Sequence, residues 1–322
     1  MFARPELDAA CTLVHRSMPP TPQYTWPLLS QRVGCDVVVK HENHTPTGAF
    51  KIRGALTFMD WLTRTHPDVT GIITATRGNH GQGQALAATR AGLRAVVYVP
   101  RGNSVEKNAA MRAFGAEVVE HGDDFDTARE EATRVAQAEG LYQVPSFHRE
   151  LVRGVATYGF ELFTAHPDLD TVYVPIGCGS GICGVLAARD ALGSKAKVVA
   201  VVSENAPTAM LSARAGRLVE TETAATFADG IAVRVPVQAA LDIYGPGAER
   251  FVTVSDAEVA AAIRVYFSDT HNAAEGAGAA PLAALMQERD RMAGRKVGVI
   301  LCGGNIDTDR FAQVLAGQTS AP

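Results

Sequence analysis

The sequence predicts an α/β fold of two domains, each built on an open, mainly parallel, twisted sheet with flanking helices. Short runs rich in valine, isoleucine and tyrosine alternate with longer helical runs, and this alternation is typical of β-α-β units and parallel sheets. Several of these runs end at a glycine or a proline, which marks the turns between them. The length of 322 residues and the 47% hydrophobic content suffice for two domain cores.

Hydrophobic periodicity and helix-ending residues predict the individual elements. The predicted strands are GIITAT (71–76), LRAVVYVP (93–100), AEVVEHG (116–122), LYQV (141–144), TVYVPI (171–176), KVVAVVSE (197–204) and KVGVILCGG (296–304). Helices are predicted between them over HGQGQALAATRAG (80–92), SVEKNAAMRAFG (104–115), the amphipathic stretch 124–139, and from about Ile182 onward. The sequence shows no internal repeat.

The domain boundary is predicted at PSFHRE (145–150), which is rich in turn-forming and charged residues. Residues 64–149 would then form a small domain inserted into a larger one. The large domain would consist of residues 1–63 together with residues 150–322.

Charge and composition narrow the classes of partner. A net charge of −4 without a long basic run argues against a nucleic-acid partner and favours a small molecule. The start of the chain carries acids and lacks a signal-peptide core, and no uncharged run is long enough to span a bilayer, so we expect a cytoplasmic protein without a membrane partner. The five cysteines form no CxxC pair, which favours reduced thiols over disulfides or a zinc site.

The segment VPIGCGSGICG follows the predicted strand 171–176 and carries the strongest local signal. Closely spaced glycines between a strand and a helix allow backbone N–H groups to surround a phosphate at the helix N-terminus. Gly179, Gly181 and Gly184 also satisfy the G-x-G-x-x-G pattern, and Glu204 lies 20 residues beyond Gly184, so a nicotinamide dinucleotide site stays open. A tight turn without a ligand is the structural alternative.

Three further segments suggest a site, although each has an ordinary explanation alone. Lys51 stands between apolar Phe50 and Ile52 after a glycine-bearing turn, where a merely solvated lysine needs no such neighbours. Asn79 and His80 in RGNHGQ open a helix after a strand and could bind a ligand or only cap the helix. Cys302 in LCGGNID ends a strand at the sheet edge where α/β folds bind ligands, or is a small buried hydrophobic residue.

Taken together and in order, the segments HTPTGAFKIRGA, RGNHGQ, GCGSGICG, TFADGIAV and LCGGNID resemble the threonine dehydratase and serine racemase family. These are pyridoxal-phosphate enzymes of fold type II, the tryptophan-synthase-β-like class. The resemblance spans nearly the whole chain. It implies pyridoxal 5'-phosphate as cofactor, an amino acid as substrate, and a homodimer or a higher homo-oligomer.

The resemblance also implies roles for individual residues. Lys51 would form the Schiff base with the cofactor aldehyde and then act as the base at the substrate Cα, which requires a neutral amine and therefore burial. Asn79 would bind the ring hydroxyl, and Cys302 would face the pyridine nitrogen, where the family commonly has a serine. The phosphate would be held by Gly177, Cys178, Gly179, Ser180 and Gly181, and the substrate by Thr76, Arg77, Asn79 and His80.

The activity implied is a dehydratase, or ammonia-lyase, that converts a 3-hydroxy amino acid to a 2-oxo acid and ammonia. Serine racemisation, a nicotinamide-dependent dehydrogenase and a non-catalytic protein that binds a phosphate ligand are the alternatives. Arg77 stands where the racemase has a proton-shuttling serine, which argues against racemisation because arginine stays protonated. Met210 replaces an expected metal-binding aspartate near Glu204, so no metal is expected. Changes near Phe147 and Arg77 leave a bulkier or acidic substrate open, such as phenylserine or 3-hydroxyaspartate.

Overall fold

A six-stranded sheet, the large sheet, forms the centre of the computed structural model, which describes residues 1–318. Its strand order is β1-β2-β10-β7-β8-β9, and every pairing is parallel except that of the edge strand β1 with β2. The bounds are β1 (Gln23–Thr25), β2 (Asp36–His41), β7 (Thr171–Pro175), β8 (Lys197–Ser203), β9 (Arg250–Val254) and β10 (Lys296–Leu301).

A second, four-stranded sheet, the small sheet, is formed by the stretch of chain between β2 and β7. Its order is β5-β4-β3-β6 and all its pairings are parallel. The strands are β3 (Gly71–Ala75), β4 (Arg94–Val99), β5 (Glu117–Glu120) and β6 (Tyr142–Gln143).

Fourteen α-helices in residues 1–318 connect and cover the strands. They are α1 (Arg4–His15), α2 (Pro27–Val33), α3 (Lys51–Thr65), α4 (Asn79–Arg90), α5 (Val105–Ala113), α6 (Phe125–Glu139), α7 (Arg149–Ala165), α8 (Ser180–Leu192), α9 (Thr208–Ala215), α10 (Gln238–Gly247), α11 (Asp256–Thr270), α12 (Gly276–Gln287), α13 (Arg289–Met292) and α14 (Thr308–Leu315). None of these helices is long and apolar enough to cross a membrane.

The central strands are hydrophobic on both faces because helices cover both sides of the sheet. β7 is buried at every position, and β8 and β10 are buried at every position but the first. The two mainly parallel sheets with flanking helices confirm the predicted fold class, and each predicted strand coincides with an observed one to within a few residues.

The helix α3 connects the two sheets. Its residues Ile52, Phe58 and Leu62 lie in one apolar cluster with Ile72 of β3 and Ala85 of α4, although the chain enters α3 directly from the large sheet. The sheets therefore share packing along α3 rather than meeting only at a linker. The division of the chain at residues 63/64 and 149/150 stays a prediction.

The large sheet brings three sequence-distant segments to one edge. β2, β10 and β7 are neighbours, and all three run in the same direction. Their carboxyl ends lead into the turn before α3, into residues 302–305, and into the glycine loop 177–181. Open α/β sheets bind ligands at this edge, where successive loops diverge.

Candidate active site

Lys51 is the first residue of α3, and the turn that precedes it is fixed against the end of β10. The N–H of Phe50 donates to the carbonyl of Cys302 at 3.0 Å, and the N–H of Gly304 donates to the carbonyl of Gly48 at 2.9 Å. Gly48 has a φ of +68°, a left-handed conformation that favours glycine. The backbone thus holds the lysine beside the last residues of the central strand.

The Lys51 amine lies next to the glycine loop. Its Nζ donates to Ser180 Oγ at 3.3 Å and lies 4.7 Å from the centre of the Phe50 ring. Burial lowers the pKa of Lys51, while the nearby thiols of Cys178 and Cys302 and the carboxyl of Glu275 act in the opposite direction. The site therefore favours the neutral amine more than water does, as a nucleophile or base requires.

The loop 177–181 has the form of an anion cradle at the N-terminus of α8. Within residues 1–318, the N–H groups of Gly177, Cys178 and Gly179 donate no hydrogen bond to the protein. A Cβ at Gly177 would lie 2.2 Å from the carbonyl oxygen of Gly230, and Gly179 has a φ of +97°. Free N–H groups, close backbone approach and a helix N-terminus together fit a phosphate group.

Four further residues that the sequence predicts at the site lie at the entrance to α4: Thr76 and Arg77 in the loop after β3, and Asn79 and His80 in the first turn of the helix. Thr76 is buried, and its Oγ1 accepts a hydrogen bond from the N–H of Gly78 at 3.1 Å. The Nε2 of His80 is buried without a partner among the described residues, and burial together with the charge of Lys51 lowers the pKa of His80 to about 3. Arg77, by contrast, is exposed. The binding roles of these residues stay predictions.

Cys302 is buried at the end of β10. Burial raises the pKa of its thiol well above the ordinary value, and Glu275 adds to the effect. The side chain is thus a neutral thiol, which can share a hydrogen bond with a ring nitrogen but brings no charge to it.

Sequence reasoning missed two polar residues that contact Asn79. The buried Glu275 accepts a hydrogen bond from Asn79 Nδ2 at 2.7 Å, and Asn305 Nδ2 donates to Asn79 Oδ1 at 2.8 Å. Asn305 lies in the segment LCGGNID, so its position near the sheet edge could have been noticed. Glu275 is 196 residues from Asn79, and its run of small neighbours gives no signal for the pairing.

A second missed pair connects the two sheets. Lys107 at the start of α5 reaches Asp229 at 2.8 Å, and Asp229 belongs to the quoted segment TFADGIAV. A Cβ at Gly78 would lie 2.9 Å from the Cδ of Lys107, so the Lys107 side chain covers the loop before α4. The pair lies on the side of the site where Glu275 is found.

The described residues near Glu204 do not form a group of side chains that could bind a metal ion. Glu204 is exposed and Met210 is buried, and residues 1–318 contain no group of three or more His, Cys, Asp or Glu side chains arranged to hold an ion. The expectation of no metal stays a prediction.

Comparison with known families identifies the cofactor. The sequence pattern of the family described as "Pyridoxal-phosphate dependent enzyme" matches residues 14–303. The chain belongs to this family. The residues present fit pyridoxal phosphate: Lys51 has a lowered pKa, the loop 177–181 has free N–H groups at a helix N-terminus, and Cys302 is a neutral thiol at the sheet edge.

Proteins similar to the enzyme are named as an ammonia-lyase, a deaminase and a racemase. It is 35% identical over 289 residues to an L-threonine ammonia-lyase of Thermotoga maritima, which covers 89% of this chain and 72% of that one. Its fold matches threonine deaminase isoform 2 from Solanum lycopersicum with a TM-score of 0.89 at 29% identity, covering 98% and 95% of the two chains. A pyridoxal 5'-phosphate-dependent aspartate racemase matches with a TM-score of 0.90 at 28% identity, covering 96% and 97%. The enzyme is a pyridoxal-phosphate-dependent lyase of the dehydratase type, and the predicted family and fold type II are confirmed.

Proposed function

We propose that the enzyme is an ammonia-lyase that converts a 3-hydroxy amino acid of serine or threonine size to a 2-oxo acid and ammonia. The buried Lys51 amine, 3.3 Å from Ser180 in a loop that fits a phosphate, is the observation that carries this proposal. The L-threonine ammonia-lyase relative supports the same class of substrate. A nicotinamide dehydrogenase would give this lysine no role.

Pyridoxal phosphate, when bound through Lys51, supplies an electron sink that makes the Cα proton of an amino acid acidic. The chain's own residues then manage protons and orientation. When its amine is free, Lys51 Nζ would take the Cα proton and return it to the β-hydroxyl, which would leave as water. The released enamine takes up one water and loses ammonia, so the net reaction yields a 2-oxo acid and ammonia.

The substrate carboxylate is assigned to the loop of Thr76, Asn79 and His80, at the start of α4. The positive end of the helix dipole and the partial positive charges of its first N–H groups favour an anion there. The neutral His80 has a buried Nε2 without a partner among the described residues, which can donate to a carboxylate in one tautomer.

Larger or acidic substrates receive less support from the structure. Phe147 packs against the large core cluster, and Arg77 is exposed. Phenylserine would need a pocket beside Phe147, and 3-hydroxyaspartate would need a cation near the β-carbon. Serine and threonine need neither, so they are the substrates we propose first.

Racemisation is the second candidate, because the aspartate racemase shares the fold over nearly both chains. A racemase needs a proton donor on the face of Cα opposite the lysine. Arg77, which by the family resemblance stands where the serine racemases have a serine, carries a guanidinium group, a poor proton shuttle, and is exposed here. Elimination is therefore the proposed main outcome.

The test uses purified holoenzyme with L-serine, L-threonine, L-phenylserine and L-3-hydroxyaspartate. We expect 2-oxo acid and ammonia in equal amounts from serine or threonine, and chiral chromatography should detect no D-enantiomer. Lys51→Ala should lose the visible absorbance of the bound cofactor and at least about 10³-fold of turnover, since one amine serves as link and base. Lys197→Ala, an exposed lysine on β8, is the control that should keep both. Normal turnover in Lys51→Ala, or D-amino acid as the main product, would contradict the proposal.

A further inference from the structure

The Asn79 side chain is held from both ends of its amide group. Asn79 Nδ2 donates to Glu275 Oε1 at 2.7 Å, and Asn79 Oδ1 accepts from Asn305 Nδ2 at 2.8 Å. Glu275 is 8% exposed, so water competes little for these bonds. Asn79, Glu275 and Asn305 lie far apart in the sequence and are linked here by two hydrogen bonds.

The orientation of this amide follows from the network itself. Asn305 Nδ2 also donates at 2.8 Å to the main-chain carbonyl of Thr47, which can only accept. The atom of Asn79 that faces Asn305 Nδ2 must then be its oxygen, and its nitrogen must face Glu275. Burial raises the pKa of Glu275, but a carboxyl group in either protonation state has an oxygen that can accept from Asn79 Nδ2, which agrees with the same orientation. The amide cannot turn over without losing its hydrogen bond to Asn305.

The backbone leaves room for both partners. A Cβ at Gly48 would lie 2.3 Å from Asn305 Oδ1, and a Cβ at Gly303 would lie 2.4 Å from Glu275 Oε1. Both glycines flank the site, Gly48 three residues before Lys51 and Gly303 directly after Cys302. Larger residues at either place would displace Glu275 or Asn305 and release the Asn79 amide.

We propose that Glu275, together with Asn305, is a positioning residue that fixes the Asn79 amide with its second N–H directed at the ring oxygen of pyridoxal phosphate. Among the described residues Asn79 Nδ2 donates to Glu275 alone, so one of its two hydrogens stays available. The inference rests on the proposed function, in which pyridoxal phosphate is bound through Lys51 and Asn79 binds its ring hydroxyl. Without Glu275 and Asn305 the amide could present its carbonyl to the ring oxygen, where two acceptors would face each other.

The experiment titrates the apoenzyme with pyridoxal phosphate and measures the dissociation constant and the visible absorption spectrum. Glu275→Ala and Asn79→Ala should each weaken cofactor binding about 10-fold, as expected for a hydrogen bond to a charged or ring-bound group. Because Glu275 acts through Asn79, the variant that combines Glu275→Ala with Asn79→Ala should bind pyridoxal phosphate as weakly as Asn79→Ala alone, within about twofold. Glu275→Gln keeps an accepting oxygen and should stay within about threefold of the wild type.

Two outcomes would overturn the inference. Unchanged affinity and spectrum in Glu275→Ala would show that Asn79 needs no such partner, and losses that multiply in the double variant would show that Glu275 acts independently. If Glu275→Ala fails to fold, Asn305→Asp takes its place in the test. This variant places an acceptor opposite Asn79 Oδ1, so it should also weaken cofactor binding. Wild-type affinity of Asn305→Asp for pyridoxal phosphate would equally refute the inference. Since no substrate is used, failure of the ammonia-lyase proposal leaves this result intact.

Discussion

The Cys302 thiol occupies a position where charge would change the chemistry. Burial raises its pKa well above the ordinary value, which favours the neutral thiol. If Cys302 faces the pyridine nitrogen of the cofactor, as the family resemblance implies, a neutral partner would leave that nitrogen without a full proton. The weaker electron sink would then favour prompt loss of a β-leaving group over a long-lived carbanion.

Substitution at Cys302 separates the effect of charge from that of a hydrogen bond. Cys302→Ser keeps a neutral group that can hydrogen-bond, so kcat/KM for elimination should change by less than about fivefold. Cys302→Asp brings a carboxylate that would protonate the nitrogen, and we expect kcat/KM for elimination to fall by more than about fivefold and the product profile to change, because the stronger electron sink would let the carbanion persist. Steady-state kinetics and product analysis measure both. An unchanged product profile in Cys302→Asp would count against a contact between residue 302 and the nitrogen.

Some residues of the site could be predicted from the sequence and others could not, for a physical reason. Lys51 could be singled out because apolar Phe50 and Ile52 flank it in the sequence, and the glycine loop because three glycines alternate along residues 177–181. The pairing of Glu275 with Asn79 depends on how α12 packs beside the end of β10, which no local pattern encodes. Contacts of this kind become visible only when the strands are assembled.

A buried cluster of four charges fixes the elements around Lys51. Arg53, in the first turn of α3, donates to Glu42 and Glu161, and Lys40 of β2 also donates to Glu161. The Arg53 and Lys40 side chains are fully buried, as is Glu42. Two cations and two anions balance, so the cluster joins β2, α3 and α7 without net charge.

Breaking this cluster should destabilise the fold. Glu161→Gln leaves Lys40 and Arg53 short of one counter-charge, which costs about 3 to 5 kcal/mol for a buried pair. Glu117→Gln, which breaks an exposed pair with Arg94, should cost less than about 1 kcal/mol. Urea denaturation at pH 7 measures both free energies of unfolding. Equal losses in the two variants would contradict the assigned burial of the cluster.

The pH dependence of stability gives a second readout of the same variant. Burial alone would raise the pKa of Glu161, but the charges of Arg53 and Lys40 outweigh it and lower the pKa to about 2. The unfolded value is about 4.3, so the stabilisation is present above about pH 4.3 and is lost as the pH falls toward 2. The difference corresponds to about 3 kcal/mol. Glu161→Gln should therefore lose less stability than the wild type over this range.

The prediction of elements succeeded where periodicity was strong. The strands β7, β8 and β10 could be read directly because continuous valine and isoleucine runs are needed in a parallel sheet covered on both sides. The buried strand β2 was not predicted in spite of its valine run. The three-residue edge strand β1 and the half-exposed β9 were not predicted either. Their pairing is determined by the neighbouring strand rather than by their own composition.

The two sheets are joined across the cleft by contacts from the start of α5. Lys107 Nζ reaches Asp229 at 2.8 Å, Ser104 Oγ donates to Asp307 at 2.6 Å, and the N–H of Thr308 donates to Glu106 at 3.0 Å. The adjoining cavity has about 30 Å³, which is room for about one water molecule. A substrate that enters from this side must therefore part these contacts, and their closure behind it would exclude water.

Lys107→Met tests whether this ion pair holds the closed arrangement. Methionine keeps the apolar stem over Gly78 but cannot pair with Asp229, and because Asp229 is 44% exposed the pair is worth about 1 kcal/mol at most. The closed state would lose up to about fivefold in population, so KM for the amino acid should rise by up to that factor while kcat changes less. Hydrogen exchange in residues 104–113 should become faster. Arg101→Met removes an exposed pair with Asp123 on the small-sheet side alone and is the control. An unchanged KM together with unchanged exchange would mean that Lys107 does not hold the two sheets together.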